Sequence, residues 1–197
     1  MNAGPIFDRV YVALKAQVMA GRWGPGTHLE PSAIGEELGA SITPVRDALH
    51  RLVGERLIEA PRHDGFWIAT LTETQLRSLY AWQGELLSWA LRRARPFPVP
   101  LDDTSPEMWV GAVALGSGLP ELAYAIRNIG ERLAAFREPE RAVLSGVTEE
   151  GGVLASCCAR QDMDGLRRAF AAYHRRRQRA APAILAARHA QSNPPPL

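Results

Sequence analysis

Between Gly39 and Leu57 apolar residues recur at helical spacing. Val45, Leu49, Leu52 and Leu57 form one stripe, while Thr43, Arg46, Asp47 and His50 stand on the other side. Gly39 suits the left-handed end of a preceding helix, and Ser41 and Thr43 carry oxygens that cap a helix start. Pro44 falls in the first turn, where its missing N–H costs nothing. Upstream, Ile6, Phe7, Val10, Tyr11, Leu14, Val18 and Met19 make one wide apolar face. That face predicts a first helix over 6–20, ended by Gly21. Gly24-Pro25-Gly26 reads as a turn. Pro31 or Ser32 then opens a short second helix, with Ile34 and Leu38 inward, that stops at Gly39.

After Leu57 the period shortens. Residues 57–60 and 66–70 are strand-like runs, separated by Pro61-Arg62-His63-Asp64-Gly65 with its Asp-Gly pair. Three helices followed by a hairpin make a winged helix-turn-helix, whose second motif helix enters the DNA major groove. The plainer reading is an amphipathic helix with a solvated face and a hairpin that covers the core. On the functional reading the DNA-facing side chains are Ser41, Thr43, Arg46, His50 and Arg51 from the turn and helix. The wing adds Arg62, His63 and Gly65, where a glycine tip allows close approach to the sugar-phosphate chain.

From Thr72 the pattern is helical again. Thr72-Glu-Thr-Gln75 is a capping signal, and Leu76 to Leu91 carry a long helix toward Arg95. Pro96-Phe-Pro-Val-Pro100 breaks it with a stiff link. Helices are predicted over Glu107–Gly116, Leu119–Arg137 and Arg141–Arg160, the last weakened at Gly151-Gly152. A final one runs from Met163 to about His189. The expected organisation is mainly α: a winged helix-turn-helix over 1–72, an antiparallel helical bundle over 73–191, and a disordered tail over 192–197. No internal repeat is visible.

Composition narrows the class. The chain has 197 residues, 46% of them hydrophobic, enough for one large core or two small ones. No apolar run approaches the roughly 20 residues that span a bilayer, and the N-terminus lacks the build of a signal peptide. The two cysteines, Cys157 and Cys158, are adjacent, which points to reduced thiols and a cytoplasmic setting. Net charge is only +2. Residues 1–72 hold seven Arg or Lys against eight Asp or Glu, a balance of −1. Bulk charge therefore gives no support to nucleic-acid binding, and any DNA contact depends on where the charges sit.

Several stretches together resemble the DNA-binding domain of the GntR family of bacterial transcription regulators. They are the Gly21-Arg-Trp-Gly-Pro-Gly-Thr-His-Leu29 turn, the Glu37-Leu-Gly-Ala-Ser41 turn, the Thr43-Pro-Val-Arg-Asp-Ala-Leu49 helix start, and Leu57-Ile-Glu59 before a Gly-tipped wing. The chain departs from the family at three places. Ile42 stands where the family usually has arginine after the turn serine. Ser32 stands nearest another usual arginine, and Asp64 precedes the wing glycine. The second half resembles the all-helical effector domain of the FadR-like (FCD-type) subgroup, through Ser117-Gly-Leu-Pro-Glu-Leu122 and Asp162-Met-Asp-Gly-Leu166. That resemblance implies a metal held by an aspartate and three histidines. The corresponding positions here are Pro106, Val110, Gly151 and Tyr173, so no metal and no cofactor are expected.

What remains for the bundle is an apolar or mixed pocket. Candidate effector contacts are Trp82, Trp89, Arg127, Tyr173 and His174, with Trp109 and Tyr124 as further lining and Arg127 the first choice for an anionic group. The plainer reading makes the aromatics core. Arg175-Arg-Arg177 and Arg179 read as a solvated face. No catalytic motif stands out: Gly116-Ser117-Gly118 lacks the outer spacing of a nucleophile elbow, and Lys15 is the only lysine. The expectation is a non-enzymatic, ligand-responsive repressor, dimeric, binding a palindromic double-stranded operator and answering to a small-molecule effector such as an organic acid, with no membrane partner. The alternative is a winged-helix module that binds protein without specific DNA binding.

Overall fold

The computed structural model describes residues 4–61, 64–93 and 105–192. Two compact units emerge. The first is built on the chain up to Leu71, with short additions at 134–136 and from 188. The second is built on Thr72–Leu133 and Arg137–Ala187.

In the first unit, α1 (Gly4–Met19), α2 (Pro31–Leu38) and α3 (Ile42–Gly54) follow the apolar periodicity of the sequence. Val10 and Leu14 of α1 pack with Val45, Ala48, Leu49 and Leu52 of α3, all fully buried. Burying each Leu or Val side chain contributes about 1.5–3 kcal/mol, so this contact fixes the axis and rotation of α3. Helix α2 ends at Gly39 in the left-handed conformation (φ 58°, ψ 48°), which a side chain would strain. Arg9 of α1 holds the same corner: Nη1 donates to Leu38 O at 2.8 Å and Nη2 to Gly39 O at 3.2 Å.

The hairpin strands are β2 (Ile58–Glu59) and β3 (Phe66–Ile68), and a third strand, β1 (His28–Leu29), joins them in the antiparallel order β1-β3-β2. The register pairs Leu29 with Phe66 and Ile58 with Ile68. Strand β1 is not foreseen from sequence, because two residues are too short to show an alternation.

The second unit contains six helices among the described residues: α4 (Glu73–Arg93), α5 (Pro106–Gly116), α6 (Pro120–Ala134), α7 (Arg137–Val143), α8 (Val147–Ala159) and α9 (Met163–Ser192). The signal at its start is a reciprocal capping box: Thr72 N donates to Gln75 Oε1 at 2.8 Å and Gln75 N to Thr72 Oγ1 at 3.2 Å. Asp162 Oδ1 likewise accepts from Gly165 N at 2.7 Å where α9 begins.

Two expected boundaries move. The helix over Leu119–Arg137 stops at Ala134, and Arg137 opens α7. The helix expected over Arg141–Arg160 is divided between α7 and α8 at Gly146 (φ 67°, ψ 29°), and it runs unbroken through Gly151-Gly152. Gly151 is buried there, so packing outweighs its low helix propensity. The Pro96–Pro100 link and residues 193–197 of the expected tail lie outside the described residues. Among those residues no helix is long and apolar enough to cross a membrane.

Candidate nucleic-acid interface

The buried stripe of α3 turns the other side of the helix to solvent. Ser41, Ile42, Thr43, Arg46, Asp47 and His50 are all exposed. Ser41 occupies the N-cap position with extended backbone (φ −71°, ψ 163°), yet its side chain makes no capping hydrogen bond. Its hydroxyl and the first backbone amides of α3 therefore stay available to a phosphate oxygen. Arg46 has no hydrogen-bond or ion-pair partner among the described residues. The His50 ring meets Phe66 edge-on at 4.9 Å, which ties the middle of α3 to β3.

Arg51 is placed differently. Its guanidinium lies 3.9 Å from the centre of the Tyr11 ring and its Nε 3.4 Å from Glu55 Oε1, so it faces α1 and not the outer side of α3. At the wing, Gly65 has φ 79°, and a Cβ there would sit 2.6 Å from His28 Nε2. The left-handed conformation favours glycine, and a side chain there would also have to displace the His28 ring. Trp67 Nε1 donates to Asp64 O at 2.6 Å, anchoring the base of the wing. Arg62 and His63 lie outside the described residues.

Several charges of the first unit are paired internally. Arg22 pairs Glu37 through both nitrogens, with Nη2 to Oε2 at 2.8 Å, and Gln17 adds a bond to the same carboxylate. Lys15 Nζ lies 2.9 Å from Glu55 Oε2, and Tyr11 Oη donates to Glu55 Oε1 at 2.6 Å. Burial pushes the Glu55 carboxyl up. The hydrogen bonds from Tyr11 and Lys15 and the charges of Lys15 and Arg51 outweigh it and hold the group below the usual carboxylate range. Arg9 is spent on backbone carbonyls. On the outer face of α3 Arg46 stands exposed with Asp47 as its acidic neighbour.

In the second unit the predicted effector residues do not converge. Trp82, Trp89 and Arg127 are exposed, Arg127 stacking over Tyr124 at 5.5 Å. Tyr173 and His174 are buried, with their rings edge-on at 4.9 Å. Trp109 is fully buried core, whereas Tyr124 is exposed. His174 Nδ1 lies 2.7 Å from Phe170 O, and Gln83 Oε1 lies 3.3 Å from Nε2. A neutral ring donates from only one nitrogen, and the shorter contact, to the Phe170 carbonyl, takes its proton from Nδ1. Burial, together with the charges of Arg177 and Arg137, pushes His174 down to about 4, even though the bond to Phe170 O opposes this.

Arg177 corrects the reading of residues 175–177 as a solvated face. It is fully buried. Its Nε donates to Glu140 Oε2 at 2.6 Å and its Nη1 to Glu150 Oε2 at 2.9 Å, and its guanidinium lies 3.5 Å from the centre of the Tyr173 ring. Tyr80 Oη donates to Glu140 Oε1 at 2.7 Å, and Arg137 Nη1 bonds both Glu140 at 2.8 Å and Tyr173 Oη at 3.0 Å. This buried network backs an open cleft of about 660 Å³, lined in part by Glu107, Arg137, Glu140, Arg141 and Thr148. None of the five predicted effector residues lines it. Arg137 and Glu140 were missed. The available signal was Arg137-Glu-Pro-Glu140, in which Pro139 marks a new helix start and the ion pair spans i,i+3.

The metal positions implied by the FadR-like resemblance do not fit a metal here. Pro106, Val110 and Gly151 carry no donor atoms, and the Tyr173 hydroxyl is bonded within the network. Both ring nitrogens of His174 are engaged. Among the described residues no three His, Cys, Asp or Glu side chains converge.

Comparison with known proteins agrees with the placement of the first unit. Residues 7–68 match the model of bacterial regulatory proteins of the gntR family. Over 76 residues the chain is 28% identical to the uncharacterized HTH-type transcriptional regulator YdhC of Bacillus subtilis (strain 168), a span covering 39% of this chain and 34% of that protein. The match thus spans about a third of this curated relative. Two solved structures share the fold over most of the chain. E. coli McbR/YncC has a TM-score of 0.66 at 21% identity, covering 91% of this chain and 96% of its own. A putative transcriptional regulator GntR from Rhodococcus sp. RHA1 has a TM-score of 0.73 at 16% identity, covering 91% and 97%. At such identities the likeness is one of fold.

Proposed function

With its first domain belonging to the gntR family of bacterial regulatory proteins, we propose that this chain is a cytoplasmic transcription regulator that binds a palindromic double-stranded operator as a homodimer. The observation that carries the reading is Arg46: exposed, unpaired among the described residues, and one turn into a helix whose rotation is fixed by its buried stripe. A guanidinium so placed reaches a guanine edge or a phosphate. Ser41, Thr43 and His50 flank it on the same side, and Gly65 lets the wing come close to the backbone.

The second unit serves, on this reading, as a FadR-like domain for dimerisation and sensing, and the regulator is a repressor released by a small organic acid without a metal. Within that unit Arg137 lines a cleft but is already paired with Glu107 at 3.1 Å and Glu140 at 2.8 Å, so the exposed Arg127 stays the first choice for an anionic group. The net −1 of residues 1–72 favours one rival, a winged helix that binds protein.

The test is a gel shift on duplexes selected from a random pool. A salt-dependent shift, weakened by about 1–3 kcal/mol in Arg46→Ala, is the expected result. A folded Arg46→Ala variant with unchanged affinity would remove the central claim.

A further inference from the structure

We propose that Ile42 is a specificity-determining residue that reads the 5-methyl group of a thymine in the operator. The proposal rests on the operator-binding reading above. Ile42 is the first residue of α3 and is 50% exposed. It takes no part in the core cluster of its unit, which draws on Val45, Ala48, Leu49 and Leu52 of the same helix. An isoleucine held half in water at a helix start is not there for propensity either, since β-branched residues are among the weaker helix formers.

Its neighbours define what it meets. Arg46 is one turn along, about 40° round the helix from Ile42, so the two side chains share one edge of the outer face. Ser41 and Thr43 place hydroxyls on either side. An aliphatic group set among an unpaired cation and hydroxyls, at the N-terminal end of a major-groove helix, is complementary to a base edge that is itself partly apolar. In the major groove only thymine presents a methyl group, and apolar side chains contact it.

Thymine and uracil differ at this edge by that methyl alone, so the contact can be tested atom by atom. The full-length protein is used to enrich duplexes from a random pool. Each thymine of the enriched site is then replaced in turn by deoxyuridine, and dissociation constants are measured at one salt concentration for the wild type, Ile42→Ala and Ile42→Arg. Deoxyuridine at one position of each half-site should weaken wild-type binding about four- to tenfold, the scale of one buried methyl group. Ile42→Ala should bind thymine and deoxyuridine duplexes alike. Ile42→Arg should enrich guanine at the same position. The half-exposed side chain lies outside the core, and matching thermal melts establish that the variants fold. A wild type indifferent to deoxyuridine at every position, or an Ile42→Ala protein that keeps the full thymine preference, overturns the proposal while leaving operator binding intact. If the wild type enriches no sequence at all, the operator reading fails and this inference fails with it.

Discussion

Lowering the pH from 7 to 4 should withdraw stability from the second unit through one residue, His174. Its ring is 2% exposed, with Nδ1 donating to Phe170 O and Nε2 facing the Gln83 amide. The folded ring takes up a proton only near pH 4, against an ordinary 6.5, and burial is the main cause. Between these values the unfolded chain binds a proton that the folded chain does not, so stability rises with pH across this window. Above about 6.5 both states are neutral and the effect is fully relieved; below about 4 the loss is complete. A displacement from 6.5 to about 4, at 1.36 kcal/mol per pH unit, amounts to roughly 3 kcal/mol. Urea unfolding at a series of pH values, compared with His174→Gln, isolates this share: the variant should lose about 3 kcal/mol less than the wild type over the window. Proton NMR of the imidazole gives the folded midpoint directly. A native His174 titrating near 6.5 or above would refute the burial argument and reopen the ring as an effector contact.

Glu140→Gln should destabilise the second unit by about 1–3 kcal/mol in the same urea assay, because it removes the counter-charge that Arg177 and Arg137 share and leaves them only Glu150 and Glu107. A fragment ending near Thr72 should be monomeric by light scattering and bind the operator more weakly than the full chain, since it loses the second half-site; a dimeric fragment would move dimerisation to the winged helix. Protein purified without chelators should carry no stoichiometric metal by elemental analysis, and no single ion among zinc, nickel and manganese should raise its melting temperature; either result going the other way would bring His174 back as a ligand.

The first unit was legible in the sequence because its signals are local and redundant. Gly39, Pro44 and the stripe of Val45, Leu49 and Leu52 each mark the same turn and helix, and Asp64-Gly65 marks the wing. Strand β1 escaped because its two residues acquire strand character only by pairing with Phe66 and Trp67. The buried network of the second unit escaped for another reason. Arg175, Arg176 and Arg177 are consecutive, and a run of like residues does not say which one turns inward. The stripe that decides it was present: Tyr173, Ala181 and Ile184 are buried along one side of α9, and Arg177 sits between them at helical spacing. A lone charge on an otherwise apolar stripe predicts a buried partner. That partner, Glu140, lies 37 residues away, beyond the reach of any periodicity.

The same point bears on the charge balance of the first unit. Counting treats Glu37 and Glu55 as repelling a phosphate backbone as strongly as Asp47 does. In the fold they do not: Arg22 neutralises Glu37, and Lys15 with Arg51 neutralises Glu55. Arg51 is itself engaged in this pairing. What the outer side of α3 exposes is then Arg46, Asp47, His50, Thr43 and Ile42, a surface with one guanidinium unpaired among the described residues and an aliphatic group. Phosphate attraction from such a face is modest, and discrimination has to come from base edges. On the proposed reading, Arg46 beside Ile42 would meet a guanine or phosphate next to a thymine, and sequence choice, more than charge, would be the property on which the interface depends.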